Sequence, residues 1–136
     1  MIVINVLIHL LFFLLARNND SEEPAHIGNT YTTKTIAYIK ENYRQDIKLT
    51  DLASRLFVSC EHLSRVFKQD TGLCISEYIS IIRLQQAQEL LCSSPDTSIT
   101  EIAQKCGFND SNYFSKKFKS AYGISPLAFR KHAIKT

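Results

Sequence analysis

The sequence lacks a metal-binding cysteine pattern. Cys60, Cys74, Cys92 and Cys106 stand 14, 18 and 14 residues apart, with no CxxC pair. Their segments hold none of the His/Cys clustering that a zinc site requires, so no metal ligand is assigned. The cysteines are expected to be reduced and mostly buried small apolar residues of a cytoplasmic protein. An apolar run long enough to span a bilayer is also missing. The longest, MIVINVLIHLLFFLL at residues 1–15, falls short of the ~20 residues a spanning helix takes, and it contains Asn5 and His9. No basic residue precedes it and no A-x-A site follows it, so a secretory signal fits poorly. Because it is apolar all round, residues 1–16 are read as the last helix of an upstream domain, able to pack or dimerise. A short membrane anchor and an aggregating leader are the alternatives. Residues 17–32, polar and carrying Pro24 and Gly28, read as a linker.

Strong charge is scarce too. The net charge is +3 with a pI near 8.7, but the surplus is uneven. Residues 1–30 hold Arg17 against Asp20, Glu22 and Glu23, whereas residues 31–136 hold 15 Lys/Arg against 10 Asp/Glu, a balance of +5. That is mild for a nucleic-acid binder, so the placement of the charges has to carry the case.

What the chain does have is an internal repeat. LTDLASRLFV from Leu49 matches ITEIAQKCGF from Ile99 at an offset of 50. After one inserted residue, LSRVFKQDTG from Leu63 matches FSKKFKSAYG from Phe114 at an offset of 51, and Tyr78 and Phe129 continue the match. Two copies are too few for a solenoid, so one module is used twice. Each copy predicts helix, short turn, helix. Thr50 and Thr100 are expected to cap the first helices, and an acidic residue follows each where the helix dipole favours it. Ala53 and Ala103 are small where the partner helix crosses. Gly107 suits a left-handed turn, a place that Phe57 occupies in the first copy. The second helices start near Ser59 and Asp110 and end at Gly72 and Gly123.

The second helices are two-faced. Leu63, Val66 and Phe67 recur at i, i+3, i+4 and are expected to point inward, leaving Glu61, Ser64, Arg65 and Lys68 on the other face. In the second copy Phe114 and Phe118 anchor the buried stripe, with Tyr113 and Lys117 beside it, and Asn112, Ser115, Lys116 and Lys119 point outward. A helix that enters a major groove needs base-edge donors and phosphate partners on its outer face. Arg65 fits a guanine edge, Asn112 an adenine, and Lys68 and Lys119 fit phosphates.

Between the modules, residues 76–91 read as a connecting helix with Ser76 as its cap and Tyr78, Ile79, Ile82, Ala87 and Leu90 in helical period. Sixteen such residues span about 24 Å, on a scale with the ~34 Å of one DNA turn. TKTIAYIKENY ahead of the first module reads as a helix burying Ile36 and Ile39. SPLAFRK after the second has Ser125 as cap and Pro126 at the first helical position. The expected fold class is all-α, with about seven helices forming two helix-turn-helix units (about 49–72 and 99–123) joined by a linker helix, plus the apolar N-terminal helix. Residues 132–136 are left as a tail.

SITEIAQKCGFNDSNYFSKKFKSAYGISPLAFRK, residues 98–131, resembles the signature of the DNA-binding domain of AraC/XylS-type bacterial transcription regulators. LTDLASRLFVSCEHLSRVFKQDTGLCISEYISIIRLQQAQELL resembles the first half of that domain, and residues 33–131 are similar throughout. The resemblance implies two helix-turn-helix units reading adjacent major-groove segments of promoter DNA, and control of transcription through RNA polymerase. It places base contacts at Glu61, Ser64, Arg65, Ser111, Asn112, Ser115 and Lys116. Backbone contacts fall at Ser59, His62, Lys68, Asp110 and Lys119. Full-length members commonly carry an N-terminal effector or dimerisation domain of well over a hundred residues. A shortened regulator without an inducer site is therefore the expectation here.

Catalysis has no candidate. Ser64 and Ser115 have no base beside them in the pattern, and the cysteines offer no activated cluster of the kind a DNA-repair enzyme would need. No cofactor is expected. The competing reading is a fragment that binds DNA weakly and without sequence preference, or pairs with a longer relative through residues 1–16.

Overall fold

The computed structural model describes residues 27–134, and the expected apolar helix over residues 1–16 lies outside them. Among the described residues there are seven helices and no strand, α1 (Ile27–Asn42), α2 (Leu49–Arg55), α3 (Cys60–Thr71), α4 (Ile75–Ser93), α5 (Ile99–Lys105), α6 (Ser111–Tyr122) and α7 (Pro126–Ile134). They form two units that divide within α4, between Ile82 and Arg83.

In the first unit, α1 starts inside the stretch read as linker, because its inner face is partly polar. Thr32 and Thr35 are buried, the Thr35 hydroxyl donating to the Tyr31 carbonyl at 2.8 Å and that of Thr32 to the Asp70 carboxylate on α3. Buried hydroxyls of this kind are tolerated only when paired. Ile39 is fully buried and Ile36 only partly. The hydrogen-bond ladder of α2 begins at the Lys48 carbonyl, which accepts from Asp51 and Leu52, so Thr50 lies inside the helix rather than capping it. α3 is capped as expected: the Ser59 hydroxyl accepts from the His62 amide at 3.1 Å. It ends at Gly72, whose φ of 78° is left-handed and whose amide donates to the Lys68 carbonyl at 2.8 Å. Leu52, Ala53, Leu63, Val66, Phe67, Tyr78 and Ile79 are buried in this unit.

The second unit repeats the plan with different caps. Ser98, not Thr100, caps α5 by accepting from the Glu101 amide at 3.1 Å. Serine followed three residues later by glutamate is the capping-box pattern, which outcompetes a threonine two residues further in. Asp110 caps α6 and Ser125 caps α7, accepting from Asn112 at 2.8 Å and Ala128 at 3.2 Å. α6 ends at left-handed Gly123, which matches Gly72. The core gathers Leu84, Ala87 and Leu91 of α4, Ile102, Ala103 and Cys106, and the rings of Phe108, Phe114 and Phe118. Buried Arg130 of α7 donates to the Thr97 carbonyl at 2.6 Å and the Ser94 carbonyl at 3.4 Å, tying α7 to the loop ahead of α5.

Two further expectations need correction. α4 starts at Ile75, where the Cys74 carbonyl already accepts from the Tyr78 amide, so Ser76 is a helical residue and not the cap. Cys106 is buried and Cys60 partly so, but Cys74 and Cys92 are exposed. Cys74 stands just ahead of α4 and Cys92 in its last turn.

Candidate nucleic-acid interface

Each unit sets its second helix against the first through the same turn. In the first, the Val58 amide donates to the Ala53 carbonyl at 3.1 Å, and in the second, the Phe108 amide donates to that of Ala103 at 2.9 Å. Both turns need one left-handed residue: Gly107 has φ 96° and Phe57 has φ 57°. A β-carbon makes that conformation costly by roughly 1–2 kcal/mol, and the Phe57 ring is 95% exposed, so the first turn gains no packing in return. With the turn closed, buried Leu63, Val66 and Phe67 lock α3 by its inner stripe, and Phe114 and Phe118 lock α6.

The opposite stripes face solvent. On α3, Glu61, Arg65 and Lys68 are exposed, and on α6 so are Asn112, Lys116 and Lys119, each 51 positions further on. At 100° per residue these three positions fall within one narrow outer ridge of each helix. The ridges differ in charge, Glu–Arg–Lys on the first and Asn–Lys–Lys on the second. Asp70, the other acidic residue of α3, is partly buried and turned onto Thr32 of α1, away from that ridge.

The remaining sequence-derived positions flank the ridges. Ser64 is exposed and lines a shallow cleft of about 180 Å³ with Leu52, Cys74 and Ile79. Ser111 and Ser115 are half-buried. Ser59 and Asp110 are exposed but engaged as caps, so their oxygens already accept from the helix amides. The Asp110 cap also leaves Asn112 without a capping duty of its own. His62 is half-buried. Its ring meets the edge of Tyr31 on α1 at 5.9 Å between centroids, and its Nδ1 lies 3.1 Å from an Arg65 Nη. Sequence reasoning missed this arrangement, although the i, i+3 spacing of His62 and Arg65 makes the two neighbours on one helix. Among the described residues no group of three or more His, Cys, Asp or Glu could hold a metal ion, and no helix is long and apolar enough to cross a membrane.

A family model described as a helix-turn-helix domain matches residues 52–132. The chain is 37% identical over 119 residues to the uncharacterized HTH-type transcriptional regulator YfiF of Bacillus subtilis, covering 88% of this chain and 37% of that protein. Among solved structures, the C-terminal domain of AraT, a response regulator from Geobacillus stearothermophilus, superposes with a TM-score of 0.71 at 36% identity, covering 75% of this chain and 84% of that one. The DNA-binding domain of AdpA, a global transcriptional factor solved in complex with a target DNA, gives 0.70 at 30% identity, covering 74% and 90%. The chain therefore belongs to the AraC/XylS-type helix-turn-helix family. It spans about two fifths of the length of the curated relatives it matches.

Proposed function

We propose that this chain is a sequence-specific, double-stranded DNA-binding transcription regulator that reads promoter DNA through α3 and α6. The observation that carries the reading is the pair of exposed polar ridges at matched positions of two duplicated helix pairs, each backed by a buried apolar stripe. The DNA complex of the related AdpA domain supports the partner. In this reading Glu61, Ser64 and Arg65 of α3 and Ser111, Asn112, Ser115 and Lys116 of α6 meet base edges, with Arg65 on guanine and Asn112 on adenine. Lys68 and Lys119 meet phosphates, as do residues at the helix starts around Ser59, His62 and Asp110. An ionised carboxylate only accepts hydrogen bonds and repels phosphate, so phosphate near Asp110 is met by backbone amides and not by its side chain. Regulation through RNA polymerase, a cytoplasmic location on the nucleoid and the absence of enzymatic activity complete the proposal.

The test is a titration of the protein against its selected duplex and against scrambled DNA over a range of salt. A regulator discriminates by ~10³ or more at physiological salt. Equal binding to both duplexes at every salt concentration contradicts the proposal.

A further inference from the structure

We infer that His62 is a positioning residue that holds the Arg65 guanidinium in its base-reading orientation, an inference that rests on Arg65 being a base contact. Three observations in the first unit carry it. The Arg65 Nη lies 3.1 Å from His62 Nδ1, one turn earlier on the same helix. For Nδ1 to accept that hydrogen bond the imidazole must be neutral with its proton on Nε2. The His62 ring is in turn held from the side, because Tyr31 of α1 meets it edge to face at 5.9 Å and 83°, and His62 is half-buried whereas Arg65 is exposed. A long exposed side chain is thus tethered to a ring that the core side of the unit fixes.

The tether leaves the reading function intact. A guanidinium carries five N–H donors, so engaging one with His62 leaves a pair for the O6 and N7 acceptors of a guanine. Holding the fork before DNA arrives removes part of the side-chain entropy that binding would otherwise cost. The second unit has no counterpart. Tyr113 stands where His62 does and Lys116 where Arg65 does, and the Tyr113 ring lies 5.7 Å from Lys117 and packs by Phe108. The first unit is therefore the more selective reader at this ridge position, although its ridge carries the less favourable charge.

Two substitutions separate the parts of the tether. His62→Phe keeps a ring against Tyr31 and removes the acceptor, and His62→Asn keeps an acceptor near the Nδ1 place and removes the ring. Arg65→Ala serves as the reference, and binding is measured to the preferred duplex, to duplexes changed at the single position that Arg65→Ala relaxes, and to scrambled DNA. His62→Phe is expected to reduce discrimination at that position, read as the ratio of preferred to singly changed duplex so that any phosphate contact of His62 cancels, about three- to tenfold, and to change that ratio no further in the Arg65→Ala background. His62→Asn is expected to restore most of the discrimination. If His62→Phe keeps full discrimination, or weakens all duplexes alike, Arg65 reads without this support and the inference is overturned. If Arg65→Ala itself relaxes no position, the base-contact reading and the inference fall together. Thermal melts of each variant separate these outcomes from misfolding.

Discussion

The rings of Phe67 and Tyr78 meet edge to face with centroids 5.5 Å apart, and those of Phe118 and Phe129 repeat the arrangement at the same distance. Each pair links the second helix of a helix pair to the helix that follows it, so the duplication seen in sequence is also a duplication of packing. That shared anchor gives the two ridges their common orientation relative to their own cores.

Removing a base reader should cost affinity selectively. Arg65→Ala and Lys116→Ala are each expected to lose roughly 1–3 kcal/mol on the preferred duplex and to relax sequence choice at one place. Binding to a panel of single-position duplex variants measures both effects.

Lys119→Ala should behave differently, because an exposed lysine on a phosphate carries no sequence information. It is expected to weaken all duplexes alike and to lower the slope of log K against log salt by about one unit. A salt titration on specific and scrambled DNA separates it from Lys116→Ala.

The glycine that ends α3 tests the backbone account. A β-carbon at Gly72 would meet nothing within 4 Å, yet φ there is +78°. Gly72→Ala is therefore expected to destabilise the first unit by about 1 kcal/mol through conformation alone. Phe57→Gly, at the other left-handed position, is expected to be neutral or stabilising, because the ring it removes is almost wholly exposed. Denaturant midpoints compare the two.

Alkaline pH should unfold both units through their tyrosines. Burial raises the Tyr122 hydroxyl to about 12 and raises that of Tyr78 as well. An unfolded tyrosine loses its proton near pH 10. Below that pH both states stay protonated and the stability is intact. Above it the unfolded state ionises first, so stability falls from about pH 10 towards pH 12. Midpoints at successive pH values check this, and Tyr122→Phe should soften the loss in the second unit.

Much of this was legible in the sequence, for reasons that particular residues show. The repeat located both helix pairs because Ala53 and Ala103, Phe67 and Phe118, and Gly72 and Gly123 each perform one local task twice. Ser59 is readable as a cap because Val58 and Cys60 beside it cannot serve, and Asp110, although Asn109, Ser111 and Asn112 flank it, because it stands 51 positions on from Ser59 in the repeat. Thr100 was misread because Ser98, two residues earlier, takes the Glu101 amide and so caps the helix first. The start of α1 was hidden because Thr32 and Thr35 look like surface residues until their partners, Asp70 and the Tyr31 carbonyl, are known. The exposure of Cys74 and Cys92 depends on where α4 begins and ends, and composition does not reveal that. Tyr31 beside His62 is a contact between residues 31 positions apart, which no helical period can reveal.

The most direct measurement is selection of bound duplexes from a random pool by the unaltered chain, by Arg65→Ala and by Lys116→Ala. The expected result is a bipartite preferred sequence in which each substitution blurs a different half. A pool that emerges without sequence preference, or one that both substitutions leave unchanged, contradicts the claim that the exposed ridges of α3 and α6 read DNA.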